Sequence, residues 1–170
     1  MTSGRFACKL ISVSNWLEAE VRAAARHLHA KQIARIYQIP DDLMSQRRTP
    51  ADFFGYTSTA RAILIECKIC AKPSLPMIAN GSGLQPHQRK ALNELERANG
   101  VALLAWGKGG NGVVKRVALL DPLMIEKMSE GRRSVPWTSI PPTHVFYVHE
   151  LAQALELMLT PGAVSRARLQ

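Results

Sequence analysis

Residues 50–69 read PADFFGYTSTARAILIECKI, two β-prone runs parted by a short polar segment, and this stretch constrains the fold more than any other. The spacing predicts a strand over Asp52–Thr57, a turn at Ser58–Thr59–Ala60 and a second strand over Ala62–Ile69. Side chains alternate faces along a strand, so Glu66 and Lys68 share one face and Cys67 takes the other. Pairing about that turn sets Asp52 opposite Glu66. Opposed Cβ atoms in an antiparallel pair lie only ~5 Å apart. Two carboxylates and an ammonium are therefore expected to meet at one point.

Carboxylates that close repel one another unless a cation separates them. Mg²⁺ suits that task, because it prefers carboxylate oxygens and keeps part of its water shell. A metal so held positions a water and stabilises charge on a phosphate, while Lys68 orients the water or neutralises the phosphate. This is the arrangement a phosphodiesterase needs. The competing reading makes Asp52 a turn cap and Glu66 and Lys68 a solvated strand edge. The apolar run Ala62–Ile65 weighs against it, since a charged pair ending a buried strand is rarely idle surface.

A chain of 170 residues with 46% hydrophobic content suits one domain with a full core. The net charge of +9 favours a polyanionic partner, most simply nucleic acid, over a basic surface with no single partner. The three cysteines, Cys8, Cys67 and Cys70, form no disulfide framework and point to a reducing compartment. Cys67 and Cys70 make a C-x-x-C at a strand end, with no second such pair, so structural zinc is not expected. The N-terminal apolar run is too short for a secretory signal and no run reaches membrane-spanning length. The expectation is a soluble cytoplasmic protein.

Around the hairpin the sequence predicts a helix from Trp16 to Tyr37, capped by Ser14 or Asn15. Residues 1–13 and 161–170 read as loosely attached ends. Glu18 and Glu20 lie in the early turns, where they suit the helix dipole or send one carboxylate to the metal site. His27 and His29 share no helix face and read as surface residues. The loop 39–49 carries Arg47 and Arg48, which serve as phosphate contacts or merely as a solvated loop. Prolines 73 and 76 and glycines 81 and 83 predict a long irregular segment with Lys72 near the site. Pro86 opens a second helix, closed by Gly100 as its C-terminal cap, with Lys90 in its first turns. Gln88 at its start points either into the site or into solvent.

Val101–Trp106 and Val113–Leu120 read as strands joined by a glycine turn over 107–112. Pro122–Met128 reads as a short helix, and Val148–Leu159 as a closing one. Between them GRRSVPWTSIPP is a basic, proline-rich loop whose Arg132 and Arg133 would lie along DNA or against a partner subunit. The fold class expected is α/β, a mixed sheet flanked by helices.

Asp52, then Glu66-x-Lys68, on a hairpin between two helices resembles the PD-(D/E)xK nuclease superfamily. LEAEV at 17–21, RIYQIP at 35–40, ADFFGY, IECK, KPSLPM, HQRKAL, NGVALLAW and GRRSVPWTSI, in that order, are similar to the RecU-type Holliday junction resolvases and their phage relatives. The resemblance covers roughly residues 16–140. It implies a restriction-endonuclease-like αβββαβ core and an Mg²⁺- or Mn²⁺-dependent endonuclease that cuts branched DNA as a homodimer, leaving 5′-phosphates. It implies that Asp52, Glu66 and the Cys67 backbone carbonyl are metal ligands and that Lys68 assists the attacking water. It also implies that Glu18 completes the metal shell through water, and that Gln88 is the helix glutamine beside the site. Members from cellular bacteria carry a stalk between the first helix and the first acid, for which Ile39–Ala51 leaves no room. That departure matches a phage-like form. A nuclease for flaps, forks or duplex ends, and a noncatalytic DNA-binding protein on the same fold, are the alternatives.

Overall fold

The hairpin forms, and it is built into a larger sheet. The computed structural model describes residues 16–40, 49–70, 72–77, 83–110 and 113–160. Within them α1 spans Trp16–Ala30, β1 Ala34–Gln38, β2 Phe53–Thr57, β3 Ala62–Ile69 and β4 Ser74–Pro76. Next come α2 Pro86–Arg97, β5 Val101–Gly110, β6 Val113–Leu120, α3 Pro122–Ser129 and β7 Ser134–Pro136. β8, Val145–Tyr147, and α4, Leu151–Leu159, complete the order. Six strands form one sheet in the order β1-β2-β3-β5-β6-β8, and β4 pairs with β7 in a separate ribbon. β3 and β5 are parallel and every other neighbouring pair is antiparallel. The expected mixed α/β sheet flanked by helices is the one observed.

The two faces carry different helices. Leu17, Val21 and Leu28 of α1 and Leu151, Leu155 and Leu159 of α4 pack on Phe53, Ile63, Ile65, Leu103 and Val117. Leu92 of α2 and Ile125 of α3 pack on Leu104, Trp106, Ala118 and Leu120. The parallel β3–β5 step needs a crossover, and α2 supplies it on the second face. Fully burying side chains such as Phe53 or Leu104 contributes ~1.5–3 kcal/mol each, which holds the layers together. No helix among the described residues is long and apolar enough to cross a membrane.

Several expectations are corrected here. The first helix stops at Ala30 rather than Tyr37. Gln32 takes a left-handed conformation, φ 58°. The Ile33 amide donates to Leu28 O at 3.0 Å and the Gln32 amide to His29 O at 2.9 Å, a Schellman motif that satisfies the last carbonyls. Ile33 and Ile36 fit the helical stripe, yet they reach the same core from the strand side. Residues 34–38 instead alternate in burial along β1, which pairs with β2. The second helix ends in the same motif, but Asn99, φ 61°, takes the left-handed position rather than Gly100. Gly100 is needed for space, since a Cβ there would lie 2.4 Å from Leu95 Cδ1.

The glycine turn is shorter than expected. β5 continues through Gly110, with a register shift between Lys108 and Gly110 and Gly109 at φ 101°. The segments expected to be irregular contain β4 and β7, which pair with each other, so each short strand supplies what the other lacks in isolation. β8 was not legible either. A single turn of 3-10 helix, Val148–Glu150, precedes the closing helix. The expectations for residues 1–13, 161–170, Arg47 and Arg48 lie outside the described residues.

Candidate metal and nuclease site

Glu66 is fully buried, on the sheet face covered by α2. It occupies that face because it alternates with Ile65 and Cys67, whose side chains belong to the opposite core. The β2–β3 register pairs Phe53 with Ile65, and one further step sets Asp52 across from Glu66. Asp52 lies just before β2, where its carbonyl accepts the Ile39 amide at 2.8 Å. Its Oδ2 accepts the Cys67 amide at 2.7 Å and ties the two strands beyond their last paired residues.

Two donors converge on one oxygen of Glu66. Lys68 Nζ lies 2.6 Å from Oε1, and Gln88 Nε2 donates to the same atom at 2.6 Å. Gln88 in turn accepts the Gln85 amide through Oε1 at 3.0 Å, so the turn that opens α2 fixes its orientation. Of the two readings open for Gln88, the inward one is observed. The other Glu66 oxygen, Oε2, is buried and has no hydrogen-bond partner. Burial and then the charge of Asp52 raise the Glu66 carboxyl from 4.5 to about 7, against the lowering pull of Lys68.

Glu18 is the acid of α1 connected to this region. Its charge adds to the rise at Glu66, and its Oε2 accepts a hydrogen bond from Gln38 Nε2 at 2.9 Å. Gln38 lies on β1 and was missed, because residues 31–37 fit a continued helix. The signal for it was the alternation in ARIYQ before Pro40.

Cys67 contributes backbone rather than thiol to the site. Burial, with Asp52 and Glu66 adding to it, pushes its thiol well above the usual range, which disfavours a thiolate. Cys67 and Cys70 are both free and buried, and they pack in different cores on opposite faces. Three residues apart on an extended chain they point opposite ways, which removes the C-x-x-C as a chelating pair.

Among the described residues the basic candidates sit on separate elements. Lys72 is exposed ahead of β4, and Lys90 forms a surface pair with Glu94 at 3.7 Å. Arg132 and Arg133 are exposed before β7. The ribbon pairs Ser74 with Pro136, and the Met77 amide donates to Arg133 O. That puts Arg133 at the opposite end of the ribbon from Lys72.

The donor set fits a hard divalent cation. Among the described residues no three His, Cys, Asp or Glu side chains form a metal cluster. Asp52 and Glu66 offer carboxylate oxygens, the donor type that Mg²⁺ prefers. The buried, unpartnered Glu66 Oε2 is the observation that calls for a cation or an acidic proton.

No family model matches the chain, and no curated protein sequence matches it. Among solved structures it is similar to Hjc of Archaeoglobus fulgidus, a Holliday junction resolvase from an archaeal hyperthermophile. That likeness has a TM-score of 0.46 at 14% identity and covers 79% of this chain and 98% of the other.

Proposed function

We propose that this protein is a divalent-metal-dependent DNA endonuclease acting on branched DNA, with Asp52 and Glu66 as the metal-binding pair. The observation that carries the reading is the treatment of Glu66. It is fully buried, held on one oxygen by Lys68 and Gln88, and left without a partner on the other. A structural ion pair would be expected to satisfy both oxygens.

Bound Mg²⁺ or Mn²⁺ would supply neutralisation of the acid pair and Lewis-acid activation of a water and of the phosphate. The chain's own residues do the rest. Gln88 and Lys68 hold Glu66 in one rotamer, so its free oxygen is presented in a fixed direction. Asp52 is oriented by the Cys67 amide. The Lys68 ammonium orients the attacking water and offsets charge on the phosphate. Hydrolysis then joins the water oxygen to phosphorus and breaks the bond to O3′, giving a 5′-phosphate and a 3′-hydroxyl. A homodimer with twofold symmetry would address the two equivalent strands of a four-way junction. The sequence resemblance and the charge of +9 both support DNA as the substrate.

The test is cleavage of a synthetic four-way junction, with and without Mg²⁺, beside flap, duplex and single-stranded controls. Paired symmetric nicks that need metal and vanish in Glu66→Ala and Lys68→Ala are expected. Cutting retained in folded Glu66→Ala, or no cutting of any substrate by the wild type, would remove the proposal. Cutting of flaps in preference to junctions keeps the chemistry and reassigns the substrate.

A further inference from the structure

The face that carries Asp52 and Glu66 continues along β1 and β2 beyond the reach of α2 and α3, and there it is aromatic. Tyr37, Phe54 and Tyr56 are 46%, 47% and 49% exposed, unusual values for three neighbouring aromatic side chains. The register pairs Tyr37 with Phe54 and Arg35 with Tyr56, so the four form one outward block. The Tyr37 and Phe54 rings are 5.7 Å apart and tilted by 35°. Alternation along β2 puts Asp52, Phe54 and Tyr56 on one face in a row, each step ~7 Å long.

Tyr56 and Arg35, at the end of the row away from Asp52, also border a basic hollow at the sheet edge. A concavity of about 530 Å³ is lined by Arg26 and His29 of α1, Arg35 of β1, and Tyr56, Thr57 and Ser58. Among the described residues no carboxylate lines it. Asp52 thus stands at one end of the row with Phe54 and Tyr56, and at the other end Tyr56 and Arg35 border a hollow whose remaining basic side chains, Arg26 and His29, come from α1 on the opposite face of the sheet.

We propose that this face is a stacking platform for unpaired nucleotides of the DNA strand that leads to the acid site. What lies at its acid end rests on the nuclease reading above; the binding itself does not. Bases stack on exposed sheet aromatics, as in sheet-based single-strand binders, and a cationic groove holds the backbone beside them. Bases inside a duplex cannot reach such rings. The proposal therefore restricts the substrate to DNA with unpaired nucleotides beside the scissile phosphate, as at a junction centre or a flap.

A second copy of the chain is the other occupant such a face could take. A twofold contact sets a surface against itself and needs self-complementarity. Among the described residues this block offers Arg35 and, in the hollow, Arg26, and its carboxylates, Asp52 and Glu66, are engaged in the site. A chain of net charge +9 also gains little from meeting its own basic face.

The experiment measures anisotropy of a labelled dT oligonucleotide and of a labelled duplex in EDTA, where the metal site takes no part. Phe54→Leu and Tyr56→Leu keep apolar bulk and remove the ring; Phe54→Tyr keeps the ring. Each Leu variant should lose about tenfold in dT affinity. Phe54→Tyr should bind as the wild type does, and duplex binding should change little. Light scattering on the same samples should give one mass for all proteins. Leu variants that bind dT as tightly as the wild type would overturn the platform. A halved mass in those variants would also overturn it and assign the face to self-association. Weakened dT binding supports the platform whether or not the wild type cuts DNA, so the two readings fail separately.

Discussion

Gln88 Nε2 and Glu66 Oε1 are 2.6 Å apart, and this contact joins the start of α2 to the centre of the sheet. Lys68 takes the same oxygen, so one atom of Glu66 carries both polar contacts and the other carries none. The asymmetry is the central feature of the site, and four predictions follow from it and from its surroundings.

Glu66 should make the metal-free protein less stable as the pH rises. Its carboxyl is raised from 4.5 to about 7 by burial and by Asp52. The folded state therefore binds this proton more tightly than the unfolded state does. The stabilisation is fully present below pH 4.5, is lost as the pH rises toward 7, and stays lost above it. Glu66→Gln removes the titration. In denaturant melts across this range, the stability of Glu66→Gln relative to the wild type should rise by a few kcal/mol and then level off. A constant difference across pH would contradict the raised carboxyl.

Asp52 holds the Cys67 amide at 2.7 Å as well as facing Glu66. Asp52→Ala leaves that amide without its acceptor and should cost about 1–3 kcal/mol. Asp52→Asn keeps an acceptor in place and should cost less. Both should abolish cleavage. Mg²⁺ or Mn²⁺ should raise the melting temperature of the wild type and leave that of Asp52→Asn unchanged. A metal-induced rise that survives in Asp52→Asn would place the ion elsewhere.

Gln88 positions Glu66 and also accepts the Gln85 amide at the start of α2. Gln88→Ala should cost about 1 kcal/mol through the lost helix-end contact. It should also weaken activity or metal affinity by roughly 10–100-fold through the freed carboxylate. Metal titrations separate the two effects, since a purely structural role would leave the metal concentration for half-maximal cutting unchanged.

Gln32 ends α1 at φ 58°, where a β-branched side chain is strained. Gln32→Gly should melt above Gln32→Val by an equivalent of about 1–2 kcal/mol. Equal melting temperatures would mean that α1 does not end there, which would also undo β1 and the Gln38–Glu18 contact.

The parts legible in the sequence were those set by local period and by nearby residues. The alternation in AILIECKI put Glu66 and Lys68 on one face, and a short turn put Asp52 across from Glu66. Pro86 marked the start of α2 and Pro122 that of α3, whose first turn the structure closes with Asp121 Oδ1 accepting the Met124 amide. These contacts lie within a hairpin or a turn, so the sequence alone determined them.

The rest depended on partners distant along the chain. Residues 31–38 satisfy a helical stripe and a strand alternation about equally, and only pairing with β2 selects the strand. β4, β7 and β8 have three residues each, too short to show a period, and exist because another strand supplies their hydrogen bonds. Gln88 had both an inward and an outward reading until the β3–α2–β5 crossover laid α2 over Glu66. Sequence determined which face of the hairpin Asp52, Glu66 and Lys68 share. Tertiary structure decided how deeply Glu66 is buried, which of its oxygens is left open, and that an aromatic strand face runs up to it, because burial and exposure depend on what the whole chain packs against each surface.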